Sequence, residues 1–95
     1  MTSQKQNQQI VDYLKPYKLQ RIGVFGSFSR NENKPNSDLD ILIWFSTPVS
    51  LLKFIKMQDD LSDLLKLKVD LVSENALKSE KLKSYIFNDL KVIYE

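Results

Sequence analysis

A chain of 95 residues is close to the common size of one domain, which leaves room for one core and excludes a two-domain enzyme. Hydrophobic residues at 42% and charged residues at 27% are ordinary globular proportions and argue against wholesale disorder. The absence of cysteine and histidine excludes disulfides, thiolate and imidazole catalysis and sulfur- or imidazole-ligated metals, while a net charge of +2 falls well short of what a phosphate-gripping nucleic-acid domain needs. In chain order, residues 1–9 are polar, and no run anywhere approaches the ~18 apolar residues of a membrane span, so no membrane contact is expected and the protein is read as cytoplasmic. Ile10, Val11 and Leu14 recur at helical spacing ahead of Pro16 and predict a first helix over residues 4–15 with a fraying start. Residues 20–25 are short, β-prone and stopped by Gly26-Ser27, which makes them strand one. Residues 30–37, with Asn31, Asn33, Pro35 and Asn36, compose a loop that runs into strand two over 39–45. Leu51, Phe54, Ile55, Met57, Leu61, Leu64 and Leu65 form one stripe opposite Lys53, Lys56, Asp60 and Asp63, an amphipathic helix with Thr47-Pro48 as its expected start. Residues 68–72 predict strand three, 77–87 a lysine-rich helix and 90–94 a closing strand.

This order predicts one α+β domain over residues 1–95: a mixed β-sheet of about four strands with helices packed mainly on one face. Strands one and two are expected as antiparallel neighbours. The long helix between strands two and three permits a parallel, right-handed crossover.

The informative spacing is Gly26-Ser27, ten residues, then Asp38-Leu39-Asp40. A strand repeats every two residues, so both carboxylates point to one face, where two neighbouring anions disfavour each other unless a cation neutralises them. Oxygen-only donors favour Mg²⁺, or Mn²⁺ in its place, over zinc. Asp70, set between apolar neighbours on strand three, completes a carboxylate triad if strands two and three are adjacent. Gly26-Ser27 falls where strand one ends and a short helix is expected to begin, a place where backbone N–H groups and the Ser27 hydroxyl suit a phosphate and where Gly26 lets a ligand approach the main chain.

Blander readings weigh against each feature. Asp38 and Asp40 alone suit a solvated strand entry, and Asp70 alone suits an edge charge; the joint spacing tips the balance toward a site. Gly23 reads as a close-packing glycine, and Trp44, Phe45, Phe25 and Phe54 as core. Lys78, Lys81 and Lys83 read as a solvated helix face, since Glu74 and Glu80 interrupt them, and nucleic acid is not expected as a direct ligand. The Walker pattern and the three-glycine dinucleotide fingerprint both fail, because Gly23 and Gly26 are the only glycines.

On these residues the chain resembles the minimal nucleotidyltransferases of the DNA polymerase β superfamily. Gly26-Ser27-Phe28-Ser29-Arg30 is similar to that family's Gly-Ser segment, Ser37-Asp38-Leu39-Asp40-Ile41-Leu42-Ile43 to its Asp-x-Asp strand, and Val69-Asp70-Leu71-Val72 to its third-carboxylate strand. Three positions depart from the pattern: Ser29 stands where Ala is common, Asn31 where Gly often follows the Arg, and Lys66 where Gly often ends the long helix. The resemblance implies a polymerase β-like fold and a two-metal transfer in which Asp38 and Asp40 hold Mg²⁺ on a nucleoside triphosphate, ATP first among the donors. Asp70 then joins on the second ion, with proton removal falling to Asp70 or to metal-bound hydroxide. Gly26, Ser27 and Arg30 are the implied nucleotide-binding residues, Arg30 serving the phosphates or only the loop.

So short a chain is expected to be spent on sheet and metal site, which places the acceptor elsewhere. The resemblance implies a small helical HEPN-type toxin as partner, with this chain as antitoxin transferring AMP to a toxin tyrosine. Two alternatives stand beside it: a binding subunit that neutralises such a partner by contact without turnover, and transfer to an RNA end or a small molecule. Self-association is a further expectation if so small a sheet leaves apolar surface uncovered.

Overall fold

The structure is a computed structural model that describes residues 3–34 and 36–95. Among these residues the elements run α1 (Gln4–Leu14), β1 (Leu19–Phe25), β2 (Leu39–Phe45), α2 (Leu51–Leu65), β3 (Val69–Ser73), a single 3₁₀ turn (Glu74–Ala76), α3 (Glu80–Asp89) and β4 (Lys91–Tyr94). The sheet order is β3-β2-β1-β4. β1 pairs antiparallel with β2, as the sequence predicts, and β2 pairs parallel with β3 across the α2 crossover that the long helix permits; β4, whose neighbour the sequence does not assign, pairs antiparallel with β1.

Alternation along the strands divides the molecule into two faces. Leu39, Ile41 and Ile43 of β2 join Ile22, Val24, Val69 and Leu71 beneath α1 and α2, which contribute Ile10, Leu14, Met57, Leu61 and Leu65 to the same core. Leu42 points the other way and packs with Leu77 and Ile86, against which Phe25, Trp44, Val72 and Leu90 also lie. Two helices therefore cover one face, and α3 covers part of the other. Each fully buried aliphatic side chain contributes about 1.5–3 kcal/mol, so the larger cluster carries most of the stability.

Local chemistry explains the boundaries. Ser3 and Gln6 form a reciprocal capping box, Ser3 Oγ accepting from the Gln6 N–H at 3.1 Å and Gln6 Oε1 from the Ser3 N–H at 3.0 Å, so the start of α1 is tied down where fraying was expected. Helix α2 is capped by Ser50, whose Oγ accepts from the Lys53 N–H at 3.2 Å, and not by Thr47-Pro48; the serine nearest the apolar stripe satisfies the orphan donor. Helix α3 begins at Glu80 behind the Ser79 cap and not at residue 77, because Leu77 is drawn into the core under the sheet. Among the described residues, both non-glycine positions with positive φ are ones where the sequence departs from the pattern it resembles: Asn31 at φ 63° and Lys66 at φ 57°. The backbone keeps the left-handed turn that glycine adopts freely.

The β3 edge is closed by α2. Ser62 Oγ accepts from the Val69 N–H at 3.0 Å and Gln58 Oε1 from the Leu71 N–H at 2.9 Å, so the outward donors of this edge strand are satisfied. These bonds tie α2 to β3, which its ladder with β2 holds in the register on which the site depends.

Candidate active site

Asp40 lies opposite Asp70 in the β2–β3 register and opposite Phe25 in the β1–β2 register. Sharing strand parity with Leu42, Asp40 points to the α3 side, and Asp70 does the same with Val72. Gly26 follows Phe25 at φ +77°, a conformation that favours glycine, and a Cβ there would lie 2.2 Å from Asp40 Oδ2. No side chain fits between that turn and the carboxylate.

After Gly26 the chain does not form the expected short helix. It makes a succession of turns, with Arg30 N–H donating to the Gly26 carbonyl at 3.1 Å and Glu32 N–H to the Ser27 carbonyl at 2.9 Å. Phe28 enters the main core and pins the loop from below, while the buried Ser29 hydroxyl donates to the Asp89 carbonyl. The Asn31 left-handed residue turns the chain back out.

These elements enclose a cleft of about 510 Å³ lined by Gly26, Ser27, Arg30, Asp40, Asp70, Asp89, Leu77, Leu82, Tyr85 and neighbouring apolar side chains. Five of the sequence-predicted site residues thus meet in one place. Asp38 is not on the lining; it sits at the entry to β2 with its Oδ2 3.7 Å from Lys68 Nζ, yet its charge still acts on Asp40. Arg30 is held at the edge of the cleft, ion-paired through Nη1 to Asp89 and through Nε to Glu32 at 3.2 Å.

Electrostatics single out Asp40. Burial first, then Asp70 and Asp38, raise its pKa from 3.8 to about 6, against which Arg30 acts weakly. A carboxylate pressed toward neutrality by two others is short of a cation. The donor set is hard oxygen only, which suits Mg²⁺ or Mn²⁺. Among the described residues no three acidic side chains close into a ready cage. Mg²⁺ characteristically uses one or two carboxylates together with substrate phosphates and water, so the residues fit an ion that arrives with its nucleotide.

Sequence reasoning missed Asp89, Leu82 and Tyr85. Asp89 falls between the expected last helix and closing strand, and its pairing with Arg30 across 59 positions leaves no local signature. Leu82, Tyr85, Ile86 and Asp89 do carry a signal, the i, i+3, i+4, i+7 spacing of one helical stripe.

A four-stranded mixed sheet whose Gly-Ser turn lies over paired strand carboxylates is the polymerase β-like nucleotidyltransferase fold. A profile of the family described as polymerase beta, nucleotidyltransferase matches residues 8–95. Among curated proteins, MJ0126 of Methanocaldococcus jannaschii, provisionally named a protein adenylyltransferase, is 47% identical over 74 residues, covering 78% of this chain and 76% of its own. Protein adenylyltransferase MntA of Thermococcus cleftensis is 52% identical over 61 residues, 64% of this chain and 62% of its own. A crystal structure of a toxin–antitoxin with AMP-PNP superposes with a TM-score of 0.83 at 27% identity, covering 92% of this chain and 71% of the other. A chain from the tri-AMPylated Shewanella oneidensis HEPN toxin in complex with its MNT antitoxin superposes at 0.77 with 25% identity, covering 95% and 70%. The chain belongs to the polymerase beta nucleotidyltransferase family and is a nucleotidyltransferase. No described helix is long and apolar enough to cross a membrane.

Proposed function

We propose that the protein is an antitoxin that transfers AMP from ATP to a tyrosine hydroxyl of a small helical HEPN-type toxin. The observation that carries this reading is the register pairing of Asp40 with Asp70 beneath the Gly26-Ser27 turn. The likeness to MntA and to complexes of MNT antitoxins with HEPN toxins supports the choice of partner and donor.

In this reading the Gly26-Ser27 turn receives the phosphates, the Ser27 hydroxyl hydrogen-bonds a phosphate oxygen, and Arg30 approaches them from the cleft edge. Asp38, Asp40 and Asp70 are the residues that would hold Mg²⁺, which when bound neutralises phosphate charge and orients the reacting oxygens. The acceptor oxygen bonds to the α-phosphorus while the bond from that phosphorus to the β-phosphate bridging oxygen breaks, and pyrophosphate leaves. The acceptor's proton passes to a carboxylate oxygen of Asp70. Positioning and charge compensation supply most of the acceleration, as the chain holds no imidazole base.

A second reading, a nucleotide-binding subunit that neutralises its partner by contact, is favoured by one observation: Asp38 lies off the cleft lining beside Lys68. Incubation of the purified protein with ATP, Mg²⁺ and its cognate partner, read by intact mass, separates the two. Catalysis predicts AMP additions on the partner that fall by at least about 100-fold when Asp38 and Asp40 are both changed to Asn, in line with loss of essential charge stabilisation. Full protection of cells by the doubly substituted protein, with no AMP on the partner, would establish contact alone.

A further inference from the structure

Resting on the nucleotide-transfer reading, we infer that Tyr85, flanked by Leu82, is the shelf on which the nucleobase of the donor stacks. The cleft lining is chemically divided: Ser27, Arg30, Asp40 and Asp70 are polar or charged, and Leu82 and Tyr85 are apolar or aromatic. A nucleotide has the same division, between its phosphates and a flat, largely apolar ring.

Helix α3 carries Leu82, Tyr85, Ile86 and Asp89 along one stripe. Ile86 is the root, 6% exposed in the core under the sheet, while Asp89, one turn onward from Tyr85, holds Arg30. Leu82 and Tyr85 stand on the same stripe 47% and 71% exposed. Single exposed apolar side chains are ordinary on a protein surface. Here, however, Lys81, Ser84 and Asn88 are exposed polar positions of the helix, Phe87 turns away to stack on Trp44, and Leu82 and Tyr85 line the cleft. The volume of about 510 Å³ lies within the roughly 300–1,000 Å³ range of small-molecule sites. A tyrosine ring offers a π-face to any base, so the shelf governs how tightly a nucleotide is held and leaves the identity of the base to other contacts.

The test is calorimetric titration of the full chain with AMP-PNP and Mg²⁺, and separately with inorganic tripolyphosphate and Mg²⁺, for the wild type, Tyr85→Ala and Tyr85→Phe. Loss of one base–aromatic stack predicts AMP-PNP binding weaker by roughly tenfold or more in Tyr85→Ala, near wild type in Tyr85→Phe, and unchanged tripolyphosphate affinity in both. Because Tyr85 is exposed, Tyr85→Ala is expected to stay folded, which the tripolyphosphate arm verifies in the same sample. Wild-type affinity for AMP-PNP in Tyr85→Ala overturns the shelf while leaving nucleotide transfer intact. Should that variant bind AMP-PNP normally yet transfer poorly to the partner, Tyr85 belongs to the acceptor's side and the shelf is again overturned. A wild-type protein that binds neither ligand removes the nucleotide reading and the shelf with it.

Discussion

At Asp40 the demands of the site oppose those of the fold. Its carboxyl titrates at about 6 in the folded chain against an ordinary 3.8, so the folded state holds the proton more tightly than the unfolded one. Its contribution to stability is therefore complete below about pH 4 and is lost as pH rises through about 6. Asp60 acts in the opposite sense: the Tyr13 hydroxyl, donating at 2.6 Å, and Lys56 Nζ at 2.9 Å hold its pKa down, which favours folding toward neutral pH. Comparison of the wild type with Asp40→Asn isolates the first effect. Without divalent cations, Asp40→Asn should be more stable than wild type by about 1 kcal/mol at pH 7.5 after allowance for solvent screening, and the gain should vanish at pH 4. Thermal unfolding followed by circular dichroism would show this as a Tm higher by about 4–8 °C at the upper pH only. Equal melting temperatures at pH 7.5 would mean that Asp40 is not under electrostatic stress.

At the scale of the elements, the end of α2 offers a direct measure of what a side chain costs in a left-handed cap. Lys66 closes the helix in the left-handed region, where a side chain is strained by roughly 1–2 kcal/mol. Glycine removes that strain at the cost of a more flexible unfolded chain, so Lys66→Gly should stabilise the protein by about 0.5–1 kcal/mol in urea. Asn31→Gly, at a residue type that tolerates this conformation, should change stability by less than about 0.5 kcal/mol. The two departures were legible in the sequence, and their meaning was not: only backbone angles reveal that both positions retain the turn. The same division runs through the molecule. Periodicity was sufficient for the strands and helices and for placing Asp38 and Asp40 on one strand, because these depend on neighbours in sequence. Which serine caps α2 and where α3 begins depended on packing, since Ser50 competes with Thr47 and Leu77 is taken by the core. The Asp40–Asp70 pairing depends on the adjacency of β2 and β3, a contact between strands separated in sequence by α2. The Arg30–Asp89 pair arises from a helix closing over the far face of the sheet, which no local spacing announces, whereas Leu82 and Tyr85 share a legible helical stripe whose place on the cleft only packing sets.

Across the whole molecule, unequal cores set where it opens. The face beneath α1 and α2 holds most of the buried apolar side chains, whereas α3 is anchored through Leu42, Leu77 and Ile86. Regions with few buried contacts open locally at lower free energy than the global transition. The α3 amides should therefore exchange hydrogen faster than those of β1, β2 and α2, which exchange only on global unfolding. Ile41 is fully buried in the larger core, and Ile41→Ala should lower global stability by about 2–5 kcal/mol, a large part of the ~5–15 kcal/mol of an ordinary domain. Ile86→Ala loosens the root of the cleft-facing stripe and should accelerate exchange in α3 by at least about tenfold while leaving protection in β2 within a factor of about three. Since α3 supplies one wall of the cleft and Asp89 holds Arg30, AMP-PNP with Mg²⁺ should slow exchange in α3 more than in α1 on the opposite face. Hydrogen exchange with mass spectrometry, resolved to peptides from α1, β2 and α3, checks both statements in one experiment. Uniform protection across α3 and β2 in the free protein, or a nucleotide effect spread evenly over both faces, would make the molecule one cooperative block and deny the cleft an independently moving wall.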